Sequence, residues 1–328
     1  MSPIGLSIAS HSGLPPARIG ELAAEAERAG FDAVFVAEGH GDALALCLPV
    51  AAATSTVTVG TAIANAALRP PVLAAKTAEL IDRASNGRFV LGLGTANEIM
   101  NGRFGIAPFA PLRMIEEYVA VVRAVLSGGA GHAGEVFRTG MVPLDSRPVR
   151  ADLPVYLAAL GPRMLALAGR IADGVVLNLM SPAQAGEAAA IVRAAAKDAG
   201  RDPSSVTVAC VVHCCLSDDP AAAAAAARAV VPRYVLHPAV PRLFGEGDGL
   251  DLSAARALTL AGDRAGAAEQ VPQQVADGFV ARGDLAACTM RVAEYAAAGV
   301  DLPVLAPMPI AGVWEYEPAI AGFASATA

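Results

Sequence analysis

Three short stretches carry side chains that could do chemistry. AEGHGD, Ala37 to Asp42, sets Glu38 two residues before His40 behind a strand-like run. An imidazole there can donate a proton or hydrogen-bond a bound ring, and Glu38 can hold it or act as the acid itself. SNGRFVLGLGTANEIMNGRFGI, Ser85 to Ile106, runs a strand pattern into Gly92 and Gly94 and then into the polar Thr95 to Asn97. Glycine lets a backbone or ligand approach a strand end closely, and the polar turn offers hydroxyl, amide and backbone donors. GPRM, Gly161 to Met164, reads as a helix start whose free N–H groups and positive dipole end suit a phosphate, with Arg163 adding a charge.

The elements that must hold these stretches alternate along the chain. Strand-like runs are IGLSIA (Ile4 to Ala9), FDAVFVA, VTVGTAI, RFVLGLG, LPVYLAA, DGVVLNL, SSVTVACVVHCC and LPVLAPM (Leu302 to Met308). Helical stretches follow nearly every one, with predicted starts near Pro16, Ala43, Pro71, Pro162, Pro182 and Pro220; the fourth strand leads through a longer loop to a helix from about Arg113 to Leu126. Asp218 and Asp219 before Pro220 mark the alanine run as a helix rather than low complexity. Strands this apolar are buried on both faces, as parallel sheets require. The expectation is an α/β chain folded as a (β/α)8 barrel, the TIM-barrel fold, in one domain over residues 1–328, with a doubly wound open sheet as the alternative.

About ninety residues separate the seventh and eighth strands. They include FGEGDGLD and a helical stretch around Ala254 to Val280. The part from about 235 to 283 is read as an insertion on the barrel's C-terminal face, forming part of a lid over the substrate.

Composition excludes several functions. A net charge of −7 and pI near 5.3 oppose a general hold on nucleic acid, which needs a basic surface. One anionic small molecule can still bind at a helix end. The uncharged run Ala43 to Leu68 raises a membrane span, but Pro49, Thr54 to Thr56, Gly60 and Asn65 divide it, so none is expected. Five cysteines form no CxxC pair and no secretory leader is evident, which points to a reduced, cytoplasmic protein. His213 beside Cys214 could suggest a metal, but neighbouring strand residues face opposite ways, and no metal site is expected.

These residues resemble the luciferase-like superfamily of barrel oxidoreductases, in the branch typified by methylenetetrahydromethanopterin reductase. SNGRFVLGLG with its loop to FGI, the stretch LPVYLAALGPRMLALAGRIADGVVLNLMSP (Leu153 to Pro182) and VHCCLSDDPAAAAAAA carry the likeness. It implies a flavin or deazaflavin at the barrel's C-terminal mouth, often in a homodimer. Members of this branch use reduced coenzyme F-420 to deliver hydride to C=N or C=C bonds; others use reduced FMN and oxygen. A non-prolyl cis peptide after strand three would fall at Ala62-Ile63. Gly94, Thr95, Ala96 and Asn97 would line the ribityl or ring region, with Ser7, Thr61, Ala62, Ile63 and Asn65 around it. Ala159, Leu160, Gly161, Pro162 and Arg163 would receive the phosphate, and Asn178 would close the next strand end. The catalytic candidates are His40, Glu38 and Asn97. Departures stand at Ser7, where the related reductases carry an acid, at Glu38-Gly39-His40 in place of Asp-His, and at Asn97 in place of aspartate.

The resemblance implies an F-420-dependent oxidoreductase acting on a small C=N, C=C or carbonyl-type substrate. The alternatives are an FMNH2-dependent monooxygenase served by a separate flavin reductase, and a non-catalytic flavin-binding barrel.

Overall fold

Runs of β-branched and aromatic residues form eight parallel strands in the computed structural model, which describes residues 3–128, 131–144, 147–245 and 249–327. They are β1 (Gly5–Ala9), β2 (Ala33–Ala37), β3 (Thr58–Thr61), β4 (Phe89–Gly94), β5 (Val155–Ala158), β6 (Gly174–Leu177), β7 (Thr207–Leu216) and β8 (Leu302–Pro307). Each pairs in parallel with the next, and β8 closes the ring on β1 through Gly5 opposite Val304 and Leu6 opposite Leu305. This is a (β/α)8 barrel and not an open sheet.

Helices surround the barrel where the start signals place them. Helix α1 (Pro16–Arg28) opens with proline and ends before Gly30, whose φ of +87° suits the left-handed stop. Helix α2 (Ala43–Ala53) is capped by Asp42, which accepts from the amides of Leu44 and Ala45. Pro49 sits inside α2 and does not end it; the divider expected there acts only at Thr54. Among the described residues no helix is long and apolar enough to cross a membrane. Helix α3 (Pro71–Ala84) follows β3, and one apolar cluster runs between strands and helices from Ile4 to Phe323.

Several elements differ from the sequence expectation. VTVGTAI is not one strand: β3 stops at Thr61, the Ala62-Ile63 peptide is cis, and Ala64–Asn65 then pairs with Leu93 and Gly94 of β4. The loop after β4 contains a short helix, α4 (Glu98–Arg103), before α5 (Pro111–Leu126). An unanticipated antiparallel pair, His132–Ala133 with Arg138–Thr139, hangs from α5, where Glu117 accepts from the amides of Glu135, Val136 and Phe137. The helical stretch around Ala254 to Val280 is broken by Gly262 and Pro272 into Ser253–Leu260, Arg264–Glu269 and Gln273–Phe279. A short strand, Val280–Gly283, then joins the end of β7. Of FGEGDGLD, residues 246–248 lie outside the described residues.

Candidate active site

The strand ends converge on a cavity of about 1040 Å³ at the barrel's C-terminal mouth. Its wall over β2 to β4 is built by buried polar groups that satisfy one another. Arg69 donates to both oxygens of Glu38, at 3.0 and 2.5 Å, and to the Asn65 carbonyl at 3.1 Å. Glu38 also accepts from the Asn65 amide. The Asn65 side chain donates to Asn101 Oδ1 at 3.0 Å and accepts from the Ala67 amide, and Asn101 donates to the Thr95 carbonyl at 2.9 Å. A continuous chain of hydrogen bonds thus runs from the end of β2 past the cis peptide to the turn after β4. It fixes the backbone that faces the cavity at Ala62, Ile63, Gly94, Thr95 and Ala96.

Two glycines in this wall do different work. A side chain at Gly92 would put its Cβ 1.8 Å from the Thr61 carbonyl oxygen, so Gly92 makes room for protein rather than for a ligand. Gly94 packs against Ile63, where an added Cβ would meet the side chain at 2.7 Å, and it also lines the cavity. Ala96 takes a φ of +51°, in the left-handed region that side chains rarely enter, at the apex of the turn.

Several site expectations need correction. Glu38 lines the cavity, but both its oxygens are taken by Arg69 and backbone amides, so it is a bracing group rather than a free acid. Asn97 Oδ1 accepts from the Met100 amide at 2.9 Å and caps α4, leaving only its NH2 group for a ligand. Thr61 is fully buried outside the cavity lining, its hydroxyl donating to the Gly92 carbonyl and accepting from the Gly92 amide. Pro162 and Arg163 are exposed and do not line the cavity.

At β5 the lining keeps Ala159, Leu160 and Gly161. Helix α6 (Pro162–Ile171) begins there with no side-chain cap. The arginine beside this helix start is Arg242, from the segment after β7, which donates to the Leu160 carbonyl. It occupies the place that chain proximity suggested for Arg163. Ser7, nearly buried on β1, and Asn65 both line the cavity.

Asn178 at the end of β6 also lines the cavity. Its Oδ1 accepts from the Leu179 amide at 2.8 Å, so Nε2 of His213, 3.0 Å away, must be the donor. His213 Nδ1 faces Met308 Sδ at 3.4 Å. Burial, and secondarily the Arg233 charge, push the His213 pKa down to about 3, so the ring is a neutral prop for Asn178 at neutral pH.

The opposite side of the mouth, over β7, β8 and β1, was not read from the sequence. His11, Arg233, Arg264 and Trp314 line it together with His40, which is exposed to the cavity. Arg233 Nη1 lies 3.0 Å from His11 Nε2; a guanidinium only donates, so Nε2 accepts and His11 is neutral. Burial first, then Arg233, His40 and Arg264, lower the His11 pKa to about 4. Gly39 is required where it stands, since a Cβ there would fall 2.3 Å from His11 Nδ1.

With the geometry established, comparison with known proteins places the chain. A family model described as luciferase-like monooxygenase matches residues 1–302. The 5,10-methylenetetrahydromethanopterin reductase of Methanolobus tindarius is 32% identical over 198 residues, and the chain spans 60% of that relative's length, using 60% of its own. The enzyme of the same name from Methanopyrus kandleri is 27% identical over 307 residues, 87% of either chain. The solved coenzyme F-420-dependent tetrahydromethanopterin reductase of Methanopyrus kandleri shares the fold at a TM-score of 0.84 and 24% identity, over 98% of this chain and 97% of that one.

Proposed function

Because the chain belongs to the luciferase-like monooxygenase family, we propose that it is an oxidoreductase that uses coenzyme F-420 for hydride transfer with a small molecule bearing a C=N, C=C or carbonyl-type group. One observation carries this reading. A single cavity joins the braced turn at Gly94 to Asn97, the Ala62-Ile63 bulge and the uncapped start of α6 beside Arg242. At about 1040 Å³ it reaches the upper end of the usual range for small-molecule sites, enough for a tailed ring cofactor and a small substrate together. The name of the solved Methanopyrus kandleri reductase, which specifies coenzyme F-420, supports the deazaflavin.

When bound, the deazaflavin supplies the hydride equivalent; the protein supplies position. The cis bulge, Gly94 and the turn to Asn97 form a floor for the ring, held rigid by the chain of hydrogen bonds from Arg69 to Thr95. Asn178, oriented by His213, presents its amide from β6. The α6 amides and Arg242 receive the phosphate, with Ala159 to Gly161 as the contact surface. Of the three catalytic candidates, His40 alone keeps a side chain facing the cavity without a hydrogen-bond partner among the described residues, and it is the group that gives or takes the substrate proton. The segment after β7, which contributes Arg233, Arg242 and Arg264, covers the substrate, and a cytoplasmic homodimer completes the reading.

The test is anaerobic oxidation of reduced F-420 by the purified protein with a panel of imines, enones and ketones, followed by the fluorescence of the oxidised cofactor. Oxidation that depends on the second substrate supports the reading. Inertness with F-420, together with oxygen consumption on addition of FMNH2, overturns it in favour of a two-component monooxygenase; the matched family is described as a monooxygenase family.

A further inference from the structure

We propose that the β7, β8 and β1 side of the mouth is a substrate subsite for an organic carboxylate, with Arg233 as its cationic anchor. The substrate role rests on the oxidoreductase reading above; the anion site itself does not.

Several arginines of this chain meet a carboxylate. Arg69 is paired with Glu38, Arg150 with Asp82, Arg83 with Glu79 and Arg282 with Asp277. Arg233 is partly buried, yet among the described residues no carboxylate lies within ion-pair distance of it. Its partners are neutral: the His11 imidazole at 3.0 Å and the Trp314 ring, whose centroid lies 5.7 Å beneath the guanidinium. A cation drawn out of water is costly unless paired, and a neutral ring and an imidazole lone pair compensate only in part.

The surroundings add positive potential rather than relieve it. Arg264 also lines the cavity and acts on both Arg233 and His11, in each case disfavouring further positive charge. The acidic residues lining the cavity among those described are Glu38 and Glu98; Glu38 is already bound to Arg69, on the far wall. In a chain of net charge −7, Arg233 and Arg264 bring two cations to this corner without an ion-pair partner among the described residues.

The corner is also built and rigid. Trp314 stacks on Tyr316 at an interplanar angle of 10°, and the Tyr316 hydroxyl accepts from the Ala9 amide of β1 at 3.0 Å. His11 packs edge-on against Trp314, with ring centroids 5.5 Å apart. Arg233 is thereby held between an imidazole and an indole, and its remaining guanidinium N–H groups meet no hydrogen-bond acceptor among the described residues. A carboxylate matches that fork.

Position separates this site from the cofactor's phosphate. In the closed strand order β1 and β5 are diametrically opposed, so the α6 start at Gly161 and the His11–Trp314 corner face each other across the mouth. A ring cofactor anchored at α6 leaves the far corner for the second reactant. His40 stands next to that corner, its ring centroid 6.3 Å from that of His11, where it can reach a group attached to the bound carboxylate.

Trp314 is the chain's single tryptophan, so its emission reports directly on this corner. The experiment titrates the full-length protein with crotonate and with the neutral, equally shaped crotonamide, with and without oxidised F-420, following tryptophan emission. Crotonate is expected to give a saturable change at a concentration at least tenfold below crotonamide. Arg233→Gln should abolish that discrimination, Arg233→Lys should retain most of it, and Arg264→Gln should weaken crotonate a few-fold. Equal responses to the two compounds, or no saturable change in the wild type under either condition, overturn the proposal. So does a result in which Arg233→Gln weakens F-420 without affecting crotonate, which would make the anion the cofactor's own tail. Parallel titration with F-420 keeps the two readings apart: crotonate discrimination without F-420 binding sinks the cofactor assignment and leaves the anion site standing.

Discussion

The two walls of the cavity are built on opposite plans. Over β2 to β4, Glu38, Arg69, Asn65 and Asn101 spend their hydrogen bonds on one another and on backbone. Over β7 to β1, Arg233 and Arg264 line the cavity with His40 beside them, and among the described residues no carboxylate lies within ion-pair distance of them. The first arrangement makes a rigid surface whose shape is set before anything binds. The second leaves recognition to groups that are incomplete until a ligand arrives. Mutations on the first wall should therefore cost stability, and those on the second should cost binding or turnover.

The largest effect is expected at Glu38. Both members of the Glu38–Arg69 pair are about nine-tenths buried, and truncating Glu38 leaves Arg69 only the exposed Asp42 carboxylate at 3.2 Å and the Asn65 carbonyl. Glu38→Ala should lower the unfolding free energy by about 3–5 kcal/mol in a denaturant titration. A loss below about 1 kcal/mol would show that the wall is not braced in this way.

The complementary prediction sits at His40. His40→Gln should leave the denaturation midpoint near wild type while lowering kcat with reduced F-420 by about 10²-fold, the usual contribution of a positioned proton donor. Unchanged kcat would remove His40 from the chemistry and with it the functional contrast between the walls.

A smaller, pH-dependent effect distinguishes His213, which props Asn178, from an ordinary surface histidine. Its folded pKa of about 3 lies below the unfolded value of 6.5, so the unfolded chain binds more protons between those values. Its stabilising contribution is complete above pH 6.5 and is lost as pH falls toward 3. Glu27 and Glu117, both held near 2 with backbone hydrogen bonds outweighing their burial, add a similar dependence only below pH 4.5. Between pH 6 and 5, replacing His213 by Gln should therefore flatten the fall in stability by about 1 kcal/mol. Equal slopes in the two proteins would contradict the buried, neutral assignment.

The same contrast explains what could be read from the sequence. The barrel was legible because strand and helix identity are local: alternating apolar runs, prolines at helix starts and Gly30 at a helix stop all announce themselves. The bulge at Ala62-Ile63 and the turn at Gly94 to Asn97 were found through resemblance, and both line the cavity. What escaped was pairing across the chain. Arg69 lies 31 residues from Glu38, and nothing near AEGHGD shows that its acid is already occupied. Arg163 looked suited to a phosphate because it follows Gly161, whereas Arg242, 82 residues from Leu160, takes the adjacent place. The His11, Arg233 and Trp314 corner draws on three separate segments, far apart in the chain, and has no sequence pattern. Helix α4 was missed because Asn101-Gly102 breaks its apolar period after one turn.

The most direct measurement is the affinity of oxidised F-420 and of FMN for the wild type, Arg242→Gln and Arg233→Gln proteins, each followed by cofactor fluorescence. The account predicts that F-420 binds the wild type more tightly than FMN does. Arg242→Gln should weaken F-420 about tenfold, as expected for one charge-assisted hydrogen bond at a phosphate. Arg233→Gln should leave its affinity within about twofold. Preference for FMN, or an F-420 affinity that depends on Arg233 and not on Arg242, would contradict it.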